Sequence, residues 1–270
     1  MRLAIEHTTR YHFSGPVTQG LQRLRLTPRA SAGQVVLDWA ITCEGASAQV
    51  EYDDHNGNQV TLIAFDPGAH EVTIRSAGTI ETSDQAGVVG RLPGFLPRWH
   101  FLQPTPLTTP GARVKALVAR LPQGLDTLAM LHALSELVAD TVTYELGHTD
   151  AETPAEAVLA AGHGVCQDHA HVFIAASRLL GVPARYVSGY LMMDDRVDQD
   201  AGHAWAEAEV EGLGWVGFDI SNRICPDARY VRVASGVDYG DAAPVTGIRT
   251  GTHDETMHVQ LAVQQQRVEQ

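Results

Sequence analysis

The chain has 270 residues, 44% of them apolar, enough for one large domain or two modest ones around a real core. Its formal charge of −13, with neutral histidines, argues against nucleic acid and anionic membranes as partners, and no run of about 18 apolar residues offers a membrane span. Three scattered cysteines, and a start (MRLAIEHTTRYHF) without an apolar signal region, argue against a disulfide framework and lead us to expect a reducing, cytoplasmic setting.

Residues 1–83 read as a β domain. LAIEHTTRYHF, QVVLDWAITCE, AQVEYDD, NQVTLIAFD and EVTIRSAGTIE are short strands by alternation and β-branched content. His55-Asn56-Gly57-Asn58 supplies a turn between two of them. A small sandwich or barrel-like sheet is the expected form. Residues 84–111 follow as a Pro/Gly-rich linker, where Pro93, Pro97, Pro104, Pro106 and Pro110 oppose any regular element.

From residue 112 the pattern turns helical. Ala112 to Arg120 is a short helix, and Thr127 to Thr141 a longer one with Leu128, Leu131, Leu134, Leu137 and Val138 on one face. Thr153 reads as the N-cap of a third, with Pro154 at its first position and Glu156 completing a capping box; it ends near Ala161-Gly162. A fourth helix spans 166–180, its buried face carrying Val172, Phe173, Ala176, Leu179 and Leu180, and Gly181 and Pro183 end it. ARYVSGYL (184–191) is a strand. After an acidic loop, Asp194 to Asp200, a hairpin begins at Gly202, turns near Gly212 and Gly214, and returns from Trp215. Residues 112–270 make a second domain with a C-terminal strand extension, and the final VEQ is expected to fray. The whole is α+β.

Residues 162–171, GHGVCQDHAH, concentrate the chemistry. Cys166 sits at the start of the fourth helix, where free N–H groups and the positive end of the dipole favour a thiolate. Gly162 and Gly164 permit unusual dihedrals and a close backbone approach, and Asp168 is placed to cap the helix. A nucleophilic cysteine also needs a base and a group that orients the base. The hairpin offers His203 and Asp219. With a four-residue loop Glu211 to Gly214, Asp219 faces Ala206; with the loop Val210-Glu211-Gly212, it faces His203. The sequence leaves both registers open.

GHGVCQDHAHVFIAASRLLGVPARYVSGYL, GHAWAEAEV and GWVGFDISN resemble the three blocks of the transglutaminase-like superfamily of cysteine enzymes. HTTRYHFSGPV, LQRLRLTPR and DDHNGNQV resemble the β domain that precedes the core in bacterial members, and VASGVDYGDAAPVTG also resembles these proteins. The resemblance covers nearly the whole chain. It implies a β-sandwich-like N-terminal domain, then a papain-like core whose helix-borne Cys166 packs on an antiparallel sheet carrying His203 and Asp219. It further implies Cys166 as nucleophile, His203 as general base and acid, and Asp219 as the orienting carboxylate, with no cofactor. Ile220-Ser221-Asn222 departs from the Pro-Thr-Asn common in relatives.

The chemistry implied is acyl transfer on a peptide or protein amide through a thioester, with hydrolysis favoured over transamidation. The oxyanion would meet the Cys166 backbone N–H and a second donor. Gln167, His169, Tyr190 and Trp205 are candidate substrate contacts. The plainer alternatives are that one of His169 and His171 packs in the core, and that Trp205 and Trp215 are hairpin core. A metal site on Cys166, His169 and His171, with His163 or His203, is disfavoured because residues 169 and 171 point about 160° to 200° apart on a helix. Cys43 and Cys225 are expected to be plain thiols. The alternative from another class is a peptide-binding or assembly module that keeps the fold without turnover. The substrate and the oligomeric state are not legible.

Overall fold

The computed structural model describes residues 1–91, 96–250 and 254–266. The expected fraying of the VEQ tail, and Pro93 in the linker, lie outside these residues. The N-terminal half contains β1 (Arg2–Phe13), β2 (Gln19–Thr27), β3 (Gln34–Glu44), β4 (Ala46–Asp53), β5 (Gln59–Phe65) and β6 (Glu71–Thr82). Five of these follow from alternation, and the turn at Gly57 (φ +79°) joins β4 to β5 as expected. The strand not expected is β2, QGLQRLRLT, whose charged residues obscure its period. Its Arg25 is buried because Asp54 meets it at 3.0 Å.

The crossing 84–111 is more ordered than a linker. It contains β7 (Val88–Gly90) and a 3₁₀ turn, Arg98–Leu102. Then come α1 (Ala112–Val118), α2 (Thr127–Thr141), β8 (Thr143–Tyr144), α3 (Ala155–Ala161), β9 (His163–Gly164), α4 (Cys166–Leu179), β10 (Ala184–Leu191), β11 (Asp198–Gln199), β12 (His203–Val210), β13 (Gly214–Phe218), β14 (Tyr230–Gly236), α5 (Tyr239–Ala242), β15 (Val245–Thr250) and β16 (Glu255–Gln265).

The core sheet runs β14-β10-β12-β13-β7, and every described pairing in it is antiparallel. Two further sheets, β11-β16-β1-β6-β3 and β15-β2-β5-β4, build the N-terminal sandwich. The last two strands therefore return to the first two: β16 pairs with β1 and β15 with β2. Even the acidic loop is tied in, through β11 on β16. Among the described residues no helix is long and apolar enough to cross a membrane.

The amphipathic expectation for α4 is too modest. Residues 168–178 are buried on all sides, between the sheet and α1, α2 and α3, while Leu179 at the end is exposed. Several of its buried polar groups are hydrogen-bonded, although Asp168 Oδ1, His171 Nδ1 and Ser177 Oγ find no partner among the described residues. Arg178 donates to the carbonyls of Phe101, Gln103, Ala184 and Val237 and to Thr108 Oγ1, which fastens the crossing segment to the core.

The expected capping box of α3 is also corrected. Pro154 is the N-cap, and Glu156 turns away to cap α1, accepting from the N–H groups of Gly111, Arg113 and Val114. A carboxylate on three orphan donors of a neighbouring helix satisfies the same need as a local cap. Glu156→Ala should lower stability by about 1 kcal/mol; a thermal melt with unchanged midpoint would remove Glu156 from that role.

Candidate active site

Cys166 is the first residue of α4, half-buried at the mouth of a cleft. Three local features set its position. Gly162 ends α3 in the left-handed region, φ +74°. Backbone bonds from Thr143 to Gly162 and from Glu145 to Gly164 then fix β9 beside β8. Gly164 has no room for a side chain, since a Cβ would come within 2.7 Å of Asp168. That closeness lets the Asp168 carboxylate accept from Val165 N–H (2.8 Å) and Thr149 Oγ1 (2.6 Å), capping α4 as expected. Burial raises the Asp168 pKa against these bonds.

The hairpin takes neither expected register. Val210 pairs with Gly214 and Ala206 with Phe218, so the loop is Glu211-Gly212-Leu213 with Gly212 at φ +84°. Continued past Phe218, this register puts Asp219 opposite Trp205, one diagonal step from His203 on the same face. The side chains close that step: His203 Nε2 donates to Asp219 Oδ2 at 2.6 Å. The other ring nitrogen, Nδ1, is left for the Cys166 thiol, which lines the same cleft.

Asp219 is fully buried, and its Oδ2 accepts two more bonds, from Tyr230 OH (2.6 Å) and Asn222 Nδ2 (2.7 Å). Burial opposes the carboxylate charge, but these donors outweigh it and lower its pKa. Burial likewise opposes the His203 cation, yet Asp219 and Cys166 together push its pKa up to about 10. A thiol, an imidazole and a buried carboxylate in line can exchange a proton from sulfur to the ring and keep the resulting cation oriented.

The turn that carries Asp219 is anchored on three sides. Asp219 and Ile224 bond through their backbones. Arg223 reaches Glu136 and Asp140 on α2 at 2.6 and 2.7 Å. Ser221 lies 2.8 Å from His169 Nδ1; because His169 Nε2–H donates to Val142 O, the hydroxyl must donate to Nδ1.

The cleft, of about 230 Å³, brings together Cys166, His203, Gln167 and Tyr190. It does not include His169 or Trp205. His169 is buried against the Ser221 turn, and Trp205 stands behind His203 with ring centroids 6.3 Å apart, so neither lines the cleft. Gln167 also donates to Ala151 O, at 3.2 Å. Tyr190 is almost wholly buried and bonds His7 at 3.0 Å. His171 is occupied in the core by Tyr239 N–H, so the histidines of α4 do not converge with Cys166. Sequence reasoning missed Tyr230 and Asn222 on Asp219, and the wall of His7, Arg25 and Leu26 that β1 and β2 contribute. Asn222 carried a signal, three residues after Asp219 in a turn; the others join the site only through tertiary structure.

Residues 115–220 match the family model of the transglutaminase-like superfamily, and residues 3–81 match that of the bacterial transglutaminase-like N-terminal region. An uncharacterized protein of Mycobacterium leprae is 29% identical over 263 residues, covering 93% of this chain and 94% of its own. One of Mycobacterium tuberculosis is 31% identical over 275 residues, covering 92% and 87%. Among solved structures, "a Putative Cysteine Protease from Cytophaga hutchinsonii" superposes with a TM-score of 0.79 at 22% identity, over 100% of this chain and 92% of that one, which establishes a shared fold. With its α+β core, its N-terminal sandwich and its motifs in family order, the chain belongs to the transglutaminase-like superfamily, in the form with the bacterial N-terminal region.

Proposed function

We propose that this protein is a cysteine-dependent acyl-transfer enzyme acting on an amide or peptide bond. The observation that carries this is the buried Asp219, whose three donors leave it one orientation toward His203, itself beside a helix-start cysteine. In this reading the Cys166 thiolate attacks the carbonyl, and its sulfur–carbon bond forms as the carbonyl oxygen takes the negative charge. Helix-start N–H groups face that charge. Collapse expels the amine, which takes its proton from His203 Nδ1, and leaves a thioester on Cys166. Water, deprotonated by the same nitrogen, then releases the acid.

Hydrolysis is favoured over transamidation by the shape of the cleft. His7, Arg25 and Leu26 of the N-terminal strands wall it on one side, and we take this narrowed approach to favour a small acceptor such as water over a second protein. The test is intact-mass detection of a thioester on Cys166 during incubation with peptide amides, with an added amine competing against water. A thioester that water resolves faster than the amine is expected. No adduct with any peptide amide, together with an unreactive Cys166, would leave the peptide-binding module.

Tyr230 has a positioning role in this scheme. Tyr230→Phe should lower kcat about tenfold, the scale of one hydrogen bond to a charged group, while KM stays near the parent value. An equal rise in KM with kcat unchanged would mean that the hydroxyl serves the substrate instead.

A further inference from the structure

A second cavity, of about 460 Å³, lies between the two halves of the molecule and shares no lining residue with the catalytic cleft. It sits on the face of the core sheet turned away from α4. Ala204, Ala206 and Ala208 pack with α4, so Glu207 and Glu209 of β12 point the opposite way. Glu209, at the cavity edge, is about 20 Å along β12 from His203.

Its walls are cationic in a chain whose net charge is −13. Arg29 comes from the N-terminal half, Arg91 and Arg98 from the crossing, and Arg185 and Arg232 from the core sheet. These five guanidinium groups have three carboxylates among them. Arg29 meets Asp53, Arg98 meets Glu209 at 2.6 Å, and Arg185 and Arg232 share the single carboxylate of Glu207. Arg91 pairs with no carboxylate among the described residues. Arg185 is almost fully buried, with its guanidinium 3.9 Å from the Trp215 ring centroid, so its charge is only half answered by a shared carboxylate in a poorly solvated place.

We propose that this cavity binds a small polyanion, a molecule with two or more carboxylate or phosphoryl groups. The volume exceeds what one inorganic anion fills, and the cations come from the N-terminal half, the crossing and the core sheet, so separate anionic groups on one ligand would reach both halves of the molecule. This site does not depend on the catalytic proposal.

The test is calorimetric titration of the full chain with citrate and, separately, with pyrophosphate at moderate chloride. At least one should bind with Kd below about 1 mM. Binding of citrate alone assigns carboxylates, pyrophosphate alone assigns phosphoryl groups, and both support the shared oxyanion chemistry. Arg29→Gln/Arg98→Gln, at two exposed positions that the fold tolerates, should raise Kd about tenfold per guanidinium removed. Arg75→Gln, on a surface pair with Glu6 elsewhere, should leave Kd unchanged. Failure of both probes to bind, or an equal loss in the Arg75 variant, would overturn the proposal.

Discussion

Iodoacetamide should label Cys166 rapidly at pH 6, and His203→Ala should slow that labelling about a hundredfold. A thiol with the ordinary pKa of about 8.5 is well under 1% thiolate at pH 6, so a thiolate held by an imidazolium gains about two orders of magnitude there. The structure supplies the imidazolium. Burial disfavours its charge, but Asp219 and Cys166 raise the His203 pKa to about 10. The cation is present below about 10 and is lost above it; a thiolate paired with it would make parent labelling nearly flat from pH 6 to 9, and that pairing is what the profile tests. In His203→Ala the rate should climb about tenfold per pH unit toward the ordinary thiol value. Asp219→Asn keeps the shape but removes the charge that supports the cation, and should fall between the two. Peptide mapping separates Cys166 from Cys43 and Cys225, both partly buried thiols whose pKa burial raises. Parent labelling that rises only near pH 8.5 and ignores both variants would remove the thiolate–imidazolium pair, and the acyl-transfer proposal with it.

Much of this site is legible in the sequence because its parts are local. Cys166 at a helix start, Gly162 and Gly164 before it, and Asp168 as the cap lie within seven consecutive residues, where backbone geometry follows directly from residue type. The α2 and β10 boundaries match the expected spans for the same reason. The hairpin register is not legible, because Gly212 and Gly214 both adopt positive φ and either could have set the turn. Nor does local pattern reveal Tyr230, which reaches Asp219 across an irregular segment, or His7 and Arg25, which arrive from strands more than 140 residues upstream of Cys166. Arg25 shows the difficulty well: its charge argues for the surface, and Asp54, helped by Thr246, makes burial tolerable. The burial of His169 is likewise a tertiary outcome, since the helix period alone permits a cleft-facing imidazole.

Glu207→Gln should cost about 3–5 kcal/mol of stability, the range for removing one charge from a buried pair. Glu207 is fully buried on β12, with one oxygen 2.6 Å from Arg185 Nε and the other 2.9 Å from Arg232 Nε. Gln keeps the volume and some of the hydrogen bonding, so the loss reports charge rather than a cavity. It leaves two cations without an anion, and Arg185 cannot turn to solvent because Trp215 and Phe101 flank it. Burial opposes the Glu207 charge, but Arg185 and Arg232 outweigh it and hold the folded-state pKa below the usual value. The contribution is therefore present above the unfolded carboxylate pKa of about 4.3 and lost as pH falls through the folded value. Denaturant curves of parent and variant should stay apart by a constant amount from pH 6 to 8, and converge only in acid. A gap under about 1 kcal/mol at pH 7 would mean that desolvation cancels the attraction and that the two arginines are neutralised some other way. A gap that widened in acid would contradict the sign of the shift, and would show that the carboxylate is held protonated between its arginines.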